Sequence, residues 1–152
     1  MQILSIEPEL NQRCRLRCTL DLTSKPYDLK EVSSLGELEP SVDISGFRLA
    51  LVSATDIDTA LAGIVFLRGR MPSGHIIAYG EFNALDSETP SRIRAAGADV
   101  VLDSRFSPSK MALVIDRFVW DSGTAEKDSG HLPSWLVRRA MRIVAPAAYA
   151  NE

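Results

Sequence analysis

The chain has 152 residues, with 17 Lys or Arg against 20 Asp or Glu, which gives a formal net charge of −3. Balanced charge and 45% apolar residues exclude a globally disordered chain, and the small negative charge gives no reason to expect nucleic-acid binding driven by bulk electrostatics. The sequence has no apolar run as long as a membrane span, and its first residues lack the basic and long apolar regions from which a signal peptide would be expected. We therefore expect a cytoplasmic domain that folds without a disulfide or a metal.

A buried strand and an amphipathic helix are predicted at the N-terminus. Residues 1–6 form a short apolar run that a Glu-Pro-Glu sequence ends. Leu10, Cys14 and Cys18 then recur at a spacing of four, which predicts a helix to about Thr23. On this prediction the two cysteines are small core residues, and no nearby residues complete a metal site with them.

Short apolar segments alternate with helical segments along the next part of the chain. Residues 33–45 are ambiguous, because their glycine and proline residues limit any helix there to a short one. The other segments, in chain order, are strands over residues 27–32, 47–53, 75–79 and 99–102, and helices over residues 57–71, from Thr89-Pro90 to Gly97, and from Ser107-Pro108 onwards.

This alternation predicts an α/β domain with a parallel sheet that helices cover on both faces. The domain is expected to span residues 1–120. Residues 121–130 are polar and are predicted to be a linker. Residues 131–152 are predicted to form a basic amphipathic helix with a frayed end. We favour the interpretation that this helix packs on the domain or mediates dimerisation over the interpretation that it binds a membrane.

The residues that directly follow the predicted strands are the candidates for a functional site, because ligands of open parallel sheets bind beyond the carboxyl ends of the strands. Glu7 and Glu9 follow the first strand. Ser53 ends the third strand, Gly80 follows the fourth, and Ser104 comes soon after the fifth.

The most specific pattern in the chain is AAGADVVLDSRFSPSKMALVIDRF. Its Gly97-Ala98-Asp99 turn, the strand that follows and the register of Phe106, together with the ILSIEPEL opening and the FRLALVS strand, resemble the receiver domain of two-component response regulators. The resemblance covers about residues 1–120. It implies a flavodoxin-like (βα)5 doubly wound parallel five-stranded sheet with strand order 2-1-3-4-5, followed here by the C-terminal helical tail.

The resemblance also implies a phosphorylation pocket, from which this chain departs. Receivers hold Mg²⁺ with an acidic pair after the first strand and with an Asp that ends the third strand and accepts the phosphoryl group. A Thr or Ser after the fourth strand and a Lys after the fifth hold that group. By register these positions fall on Glu7, Pro8, Ser53, Gly80 and Ser104. Only Glu7 keeps the charge of the family, with Glu9 as a substitute for its neighbour, and Arg105 is either a surface residue or a replacement for the Lys.

These departures remove the chemistry that the family uses. One or two glutamates without the central Asp make a poor Mg²⁺ site, and a serine hydroxyl without a base is a weak nucleophile. We therefore interpret the chain as a degenerate pseudo-receiver that is not an enzyme and has no metal or cofactor. Two alternatives stay open: the remodelled pocket beside Gly80 and Ser104 binds a small ligand, or Ser53 is a noncanonical phosphoacceptor.

The leading hypothesis is a phosphorylation-independent signalling module that binds a protein partner or forms a homodimer. In receivers the usual partner surface is formed by the fourth helix, the fifth strand and the fifth helix. The residues expected on or near this surface are Arg92, Arg94, Phe106, Lys110 and Arg117, with Trp135 of the tail.

Overall fold

The computed structural model describes residues 1–38, 41–83, 85–105 and 107–121. Five parallel strands form one sheet in the order β2-β1-β3-β4-β5. The strands are β1 (Gln2–Ile6), β2 (Asp28–Val32), β3 (Leu49–Ser53), β4 (His75–Gly80) and β5 (Val100–Asp103), and the α-helices are α1 (Leu10–Leu20), α2 (Ile57–Arg70), α3 (Glu88–Ala95) and α4 (Pro108–Asp121). The predicted flavodoxin-like sheet and its strand order are confirmed.

The connection between β2 and β3 departs from a regular repeat of strand and helix. Its described residues contain two one-turn 3₁₀ helices, Leu35–Glu37 and Ile44–Gly46, and no α-helix. The Asp43 side chain accepts a hydrogen bond from the Ser45 amide at 2.9 Å, a local contact that favours a turn. Four α-helices therefore cover the sheet in the part of the chain that the structure describes, where a strict (βα)5 pattern has five.

Two apolar layers pack against the two faces of the sheet. The layer under α1 and α4 contains Leu20 and Ile115, and the layer under α2 and α3 contains Ile64 and Ile93. Because alternate strand residues enter opposite layers, the central strands are buried on both sides. This explains the continuous apolar runs from which the strands were predicted.

The core-facing side of α1 differs from the prediction. Cys14 and Cys18 are both exposed, so the expectation that they belong to the core is wrong. Leu10 is 72% exposed, whereas Leu16 and Leu20 are buried. A leucine side chain removes more apolar surface from water than a cysteine does, so the face with Leu16 and Leu20 turns towards the sheet.

Hydrogen bonds and backbone conformation define both ends of α3 and the start of α4. Gly97 follows α3 with a positive φ of 120°, which confirms the predicted terminating glycine. Ser107 precedes α4, and its carbonyl accepts a hydrogen bond from the Met111 amide at 3.1 Å. Helix α3 begins at Glu88, one residue before the predicted Thr89, and the Asp86 carboxylate caps this end by accepting the Thr89 amide at 3.0 Å.

The predicted linker and tail lie almost wholly outside the described residues. Helix α4 continues to Asp121, which is the first residue of the predicted linker. Residues 122–130 and the predicted helix over residues 131–152 are not among the described ranges. Among the residues that the structure does describe, no helix has both the length and the apolar character that crossing a membrane requires.

Candidate functional site at the carboxyl ends of the strands

A cavity of about 390 Å³ lies at the carboxyl ends of the central strands. The strand register explains why the sequence-predicted positions meet there: Ser53 pairs with Tyr79 across β3 and β4, and Gly80 pairs with Asp103 across β4 and β5. The residues that follow each strand are therefore close together. All five predicted pocket positions line this cavity, namely Glu7, Glu9, Ser53, Gly80 and Ser104.

Glu7 is held by donors within the protein. Its side chain is fully buried. Carboxylate oxygen Oε1 accepts the backbone amide of Glu9 at 2.9 Å, and Oε2 accepts the hydroxyl of Tyr79 at 2.7 Å. The carboxylate thus joins the start of α1 to β4, and each of its oxygens already has a hydrogen-bond partner.

Tyr79 is the residue that sequence reasoning missed. It is 4% exposed, and it lies in β4 with its ring in the layer under α1 and α4. Burial raises the pKa of Tyr79 well above its ordinary value, and the hydrogen bond to Glu7 and the negative charge of Glu7 raise the pKa further. The phenol therefore stays protonated and continues to donate to the carboxylate. A tyrosine in a buried strand needs a polar partner, but its own segment does not reveal which one.

Ser53, which the sequence resemblance predicts to fall at the position of the phosphate-accepting Asp of receivers, ends β3. Its hydroxyl lies 3.0 Å from the hydroxyl of Thr55. Among the described residues, no carboxylate or imidazole forms a hydrogen bond with Ser53. A serine hydroxyl acts as a nucleophile when an adjacent base activates it, and none of the described contacts provides that base.

Gly80 and Ser104 line the cavity next to each other. The Ser104 amide donates to the Gly80 carbonyl at 2.9 Å. A Cβ atom on Gly80 would lie 3.3 Å from both the Ala54 Cβ and the Phe82 ring, so this wall suits a residue without a side chain. Ser104 is 9% exposed, and its hydroxyl makes no hydrogen bond to the described residues.

Arg105 does not line the cavity. Its guanidinium forms an ion pair with Asp103 and donates to the Phe82 carbonyl at 2.9 Å. The pair lowers the pKa of Asp103, mainly through the hydrogen bonds from Arg105. These contacts fit the interpretation of Arg105 as a surface residue better than a substitution for the missing Lys.

The described residues that line the cavity include no Lys, Arg or His. Besides Tyr79, several residues at strand ends and helix starts line the cavity although sequence reasoning did not assign them there. Among the described residues, no group of three or more His, Cys, Asp or Glu side chains could hold a metal ion. The additional lining residues are Gln12, Ala54, Thr55, Ile57, Glu81, Phe82, Asn83, Asp86 and Thr89.

The predicted partner-surface residues lie on the two helices beside the edge strand β5. Arg92 and Arg94 on α3 are exposed, as are Lys110 and Arg117 on α4. An Arg92 nitrogen lies 3.8 Å from an Asp58 carboxylate oxygen, with both side chains well exposed to solvent, so this pair adds little stability. The other two predicted residues, Phe106 and Trp135, lie outside the described residues.

No protein-family model and no curated protein sequence matches the chain, whereas solved structures do. A CheY-like receiver domain from Methanospirillum hungatei aligns with a TM-score of 0.65 at 17% identity, over 80% of this chain and 95% of the other. This chain has the receiver fold. An orphan response regulator of H. pylori aligns with a TM-score of 0.64 at 20% identity, over 78% and 96% of the two chains. A beryllofluoride-activated receiver-domain dimer aligns with a TM-score of 0.65 at 17% identity, over 80% and 97%.

Proposed function

We propose that this chain is a pseudo-receiver, a receiver-fold signalling module that works by protein binding or dimerisation without phosphorylation and without catalysis. The observation that carries the proposal is Ser53. It stands where receivers have their acceptor Asp, and its hydroxyl contacts Thr55 rather than a base. Transfer of a phosphoryl group to this position therefore lacks the carboxylate nucleophile on which the family depends.

The state of Glu7 supports the same proposal. A magnesium ion takes oxygen ligands in near-octahedral geometry, usually with one or two carboxylates from the protein. The Glu7 carboxylate already accepts hydrogen bonds from Tyr79 and from the Glu9 amide. A metal at Glu7 would compete with these two buried donors for the negative charge of the carboxylate, which makes the residue a weaker metal ligand than an unpartnered carboxylate.

The surface that we propose for the partner is the α3 face with the exposed cations Arg92 and Arg94, and the α4 face with Lys110 and Arg117. These helices flank β5, which is an edge strand of the sheet. Exposed cations on these two helices favour a partner surface of negative charge and accelerate its association. One of the similar solved receivers is a dimer, so a second copy of this chain is also a candidate partner.

The test compares binding with and without phosphorylating conditions. The full chain is used to capture partner proteins from lysate, and light scattering follows its own association over a range of concentrations, each with and without acetyl phosphate and Mg²⁺. We expect the same affinity and oligomeric state in both conditions. A phosphate-dependent change in either one would overturn the proposal.

Charge-reversal variants locate the surface. The variant with both Arg92→Glu and Arg94→Glu should lose binding, because it reverses the charge of α3. Lys30→Glu is the matched control, since Lys30 is an exposed cation on β2 at the opposite edge of the sheet. Equal binding by the double variant and the control would move the partner surface away from α3.

A further inference from the structure

We infer that the cavity containing Ser53 binds a small organic cation, a primary amine or amino alcohol. This inference does not depend on the partner surface, because the cavity and the outer sides of α3 and α4 are separate places in the fold. Its first basis is charge. Among the described residues, four carboxylate side chains line the cavity without any Lys, Arg or His, and they are Glu7, Glu9, Glu81 and Asp86.

Two of these carboxylates are in a position to contact a ligand. Glu9 and Glu81 are exposed, and neither side chain makes a hydrogen bond or an ion pair to a described residue. Arg105 interacts electrostatically with Glu81, but its guanidinium forms an ion pair with Asp103. An ammonium group in the cavity would therefore have two lining carboxylates available that have no partner in the described part of the chain.

The second basis is Ser104, which is independent of the acidic residues. This serine lines the cavity and is nine-tenths buried, yet its hydroxyl has no hydrogen-bond partner among the described residues. A ligand hydroxyl or amine inside the cavity would supply a hydrogen-bond partner for this hydroxyl.

The lining also contains apolar side chains, which fit a short carbon chain of a ligand. Ile57 and Phe82 are half-buried, and Ala54 is buried beside Gly80. A volume of about 390 Å³ falls at the small end of ordinary ligand pockets. The cavity thus suits a ligand with an ammonium at one end, a few methylene groups, and a hydrogen-bonding group at the other end.

The same features disfavour the two ligands that a receiver pocket normally takes. A phosphate group would meet four carboxylates and no cation among the described lining residues. A divalent metal would lack a ligand set, because no three metal-ligating side chains come together in the described ranges. The remodelled pocket therefore selects a different class of ligand.

The experiment is a titration of the isotopically labelled full chain followed by NMR, with aminobutanol as the probe. Butanediol, which replaces the ammonium with a neutral hydroxyl, and inorganic phosphate are the comparison ligands. We expect saturable shifts at Gly80 and Ser104 with aminobutanol, and binding at least about tenfold weaker for butanediol and for phosphate. No saturable binding of aminobutanol, or equal binding of butanediol or phosphate, would overturn the inference.

Variants connect the binding to the two carboxylates. Glu9→Gln combined with Glu81→Gln keeps the side-chain shape, and it should weaken aminobutanol binding at least about tenfold. Asp28→Asn removes a charge from exposed β2 and should leave binding unchanged. Circular dichroism establishes that the variants are folded. Equal affinities of the Gln variant and the Asn control would refute the assignment of the ammonium to Glu9 and Glu81.

Discussion

The hydrogen bond from Tyr79 to Glu7 gives a quantitative prediction about how the remodelled pocket is held. Glu7 is 0% exposed and Tyr79 is 4% exposed, and 2.7 Å separates the phenol oxygen from the carboxylate oxygen. Tyr79→Phe removes the donor and keeps the ring, so one oxygen of a buried carboxylate loses its partner. A hydrogen bond to a charged group contributes roughly 1.5–3 kcal/mol. We therefore expect the free energy of unfolding to fall by about 2 kcal/mol.

The chain contains a matched control for this substitution. The Tyr27 hydroxyl donates to the exposed carboxylate of Asp21, so water can replace the tyrosine after Tyr27→Phe. We expect that variant to lose less than about 1 kcal/mol. Urea unfolding at neutral pH, followed by circular dichroism, measures both values. Equal losses in the two variants would refute the claim that the Glu7 carboxylate depends on Tyr79.

Three further predictions concern stability and are measured by chemical denaturation. Gly97→Ala should lower the free energy of unfolding by more than about 1 kcal/mol, because φ is +120° there and the new Cβ would lie 3.2 Å from Arg68. The control Gly69→Ala lies in α2, where the new Cβ meets no atom within 4 Å, and it should raise the free energy of unfolding by roughly 0.5–1 kcal/mol. Effects of the same sign would contradict the argument from backbone strain. Arg68→Leu should lower the free energy of unfolding by about 2–3 kcal/mol, because it removes the ion pair to Asp99 and hydrogen bonds to two backbone carbonyls. A loss below about 1 kcal/mol would show that these contacts are redundant. Burial raises the pKa of Tyr79, so its contribution to stability is complete below the unfolded pKa of about 10 and falls above it, by about 1.4 kcal/mol per pH unit. Tyr79→Phe should remove that part of the alkaline decline, and an unchanged slope would count against it.

The sheet could be predicted from the sequence because its strands are buried on both faces. Residues 47–53 and 75–79 are apolar runs bounded by turns, and β3 and β4 lie within two residues of those limits. The side of α1 was harder to predict, since Cys14 and Cys18 share a helical spacing with Leu10 while Leu16 and Leu20 form another apolar set. Periodicity identifies a helix, but the buried area decides which side faces the sheet.

The positions of the candidate site were also predictable, because parallel strands bring the residues that follow them to one end of the sheet. Ser53 and Ser104 line the cavity for this reason. The partner of Glu7 was not predictable, since Tyr79 is 72 residues away in the chain. A contact over that distance depends on the strand order and on the direction of the side chain, and local patterns contain neither.

The most direct test of the central claim is the intact mass of the full chain after incubation with acetyl phosphate and Mg²⁺, with Ser53→Ala treated in parallel. The account predicts that neither protein gains a phosphoryl group, because Ser53 has no base among its described contacts and Glu7 is held by Tyr79. A phosphoryl adduct on the unsubstituted chain that is absent from Ser53→Ala would contradict the account and would make Ser53 a phosphoacceptor.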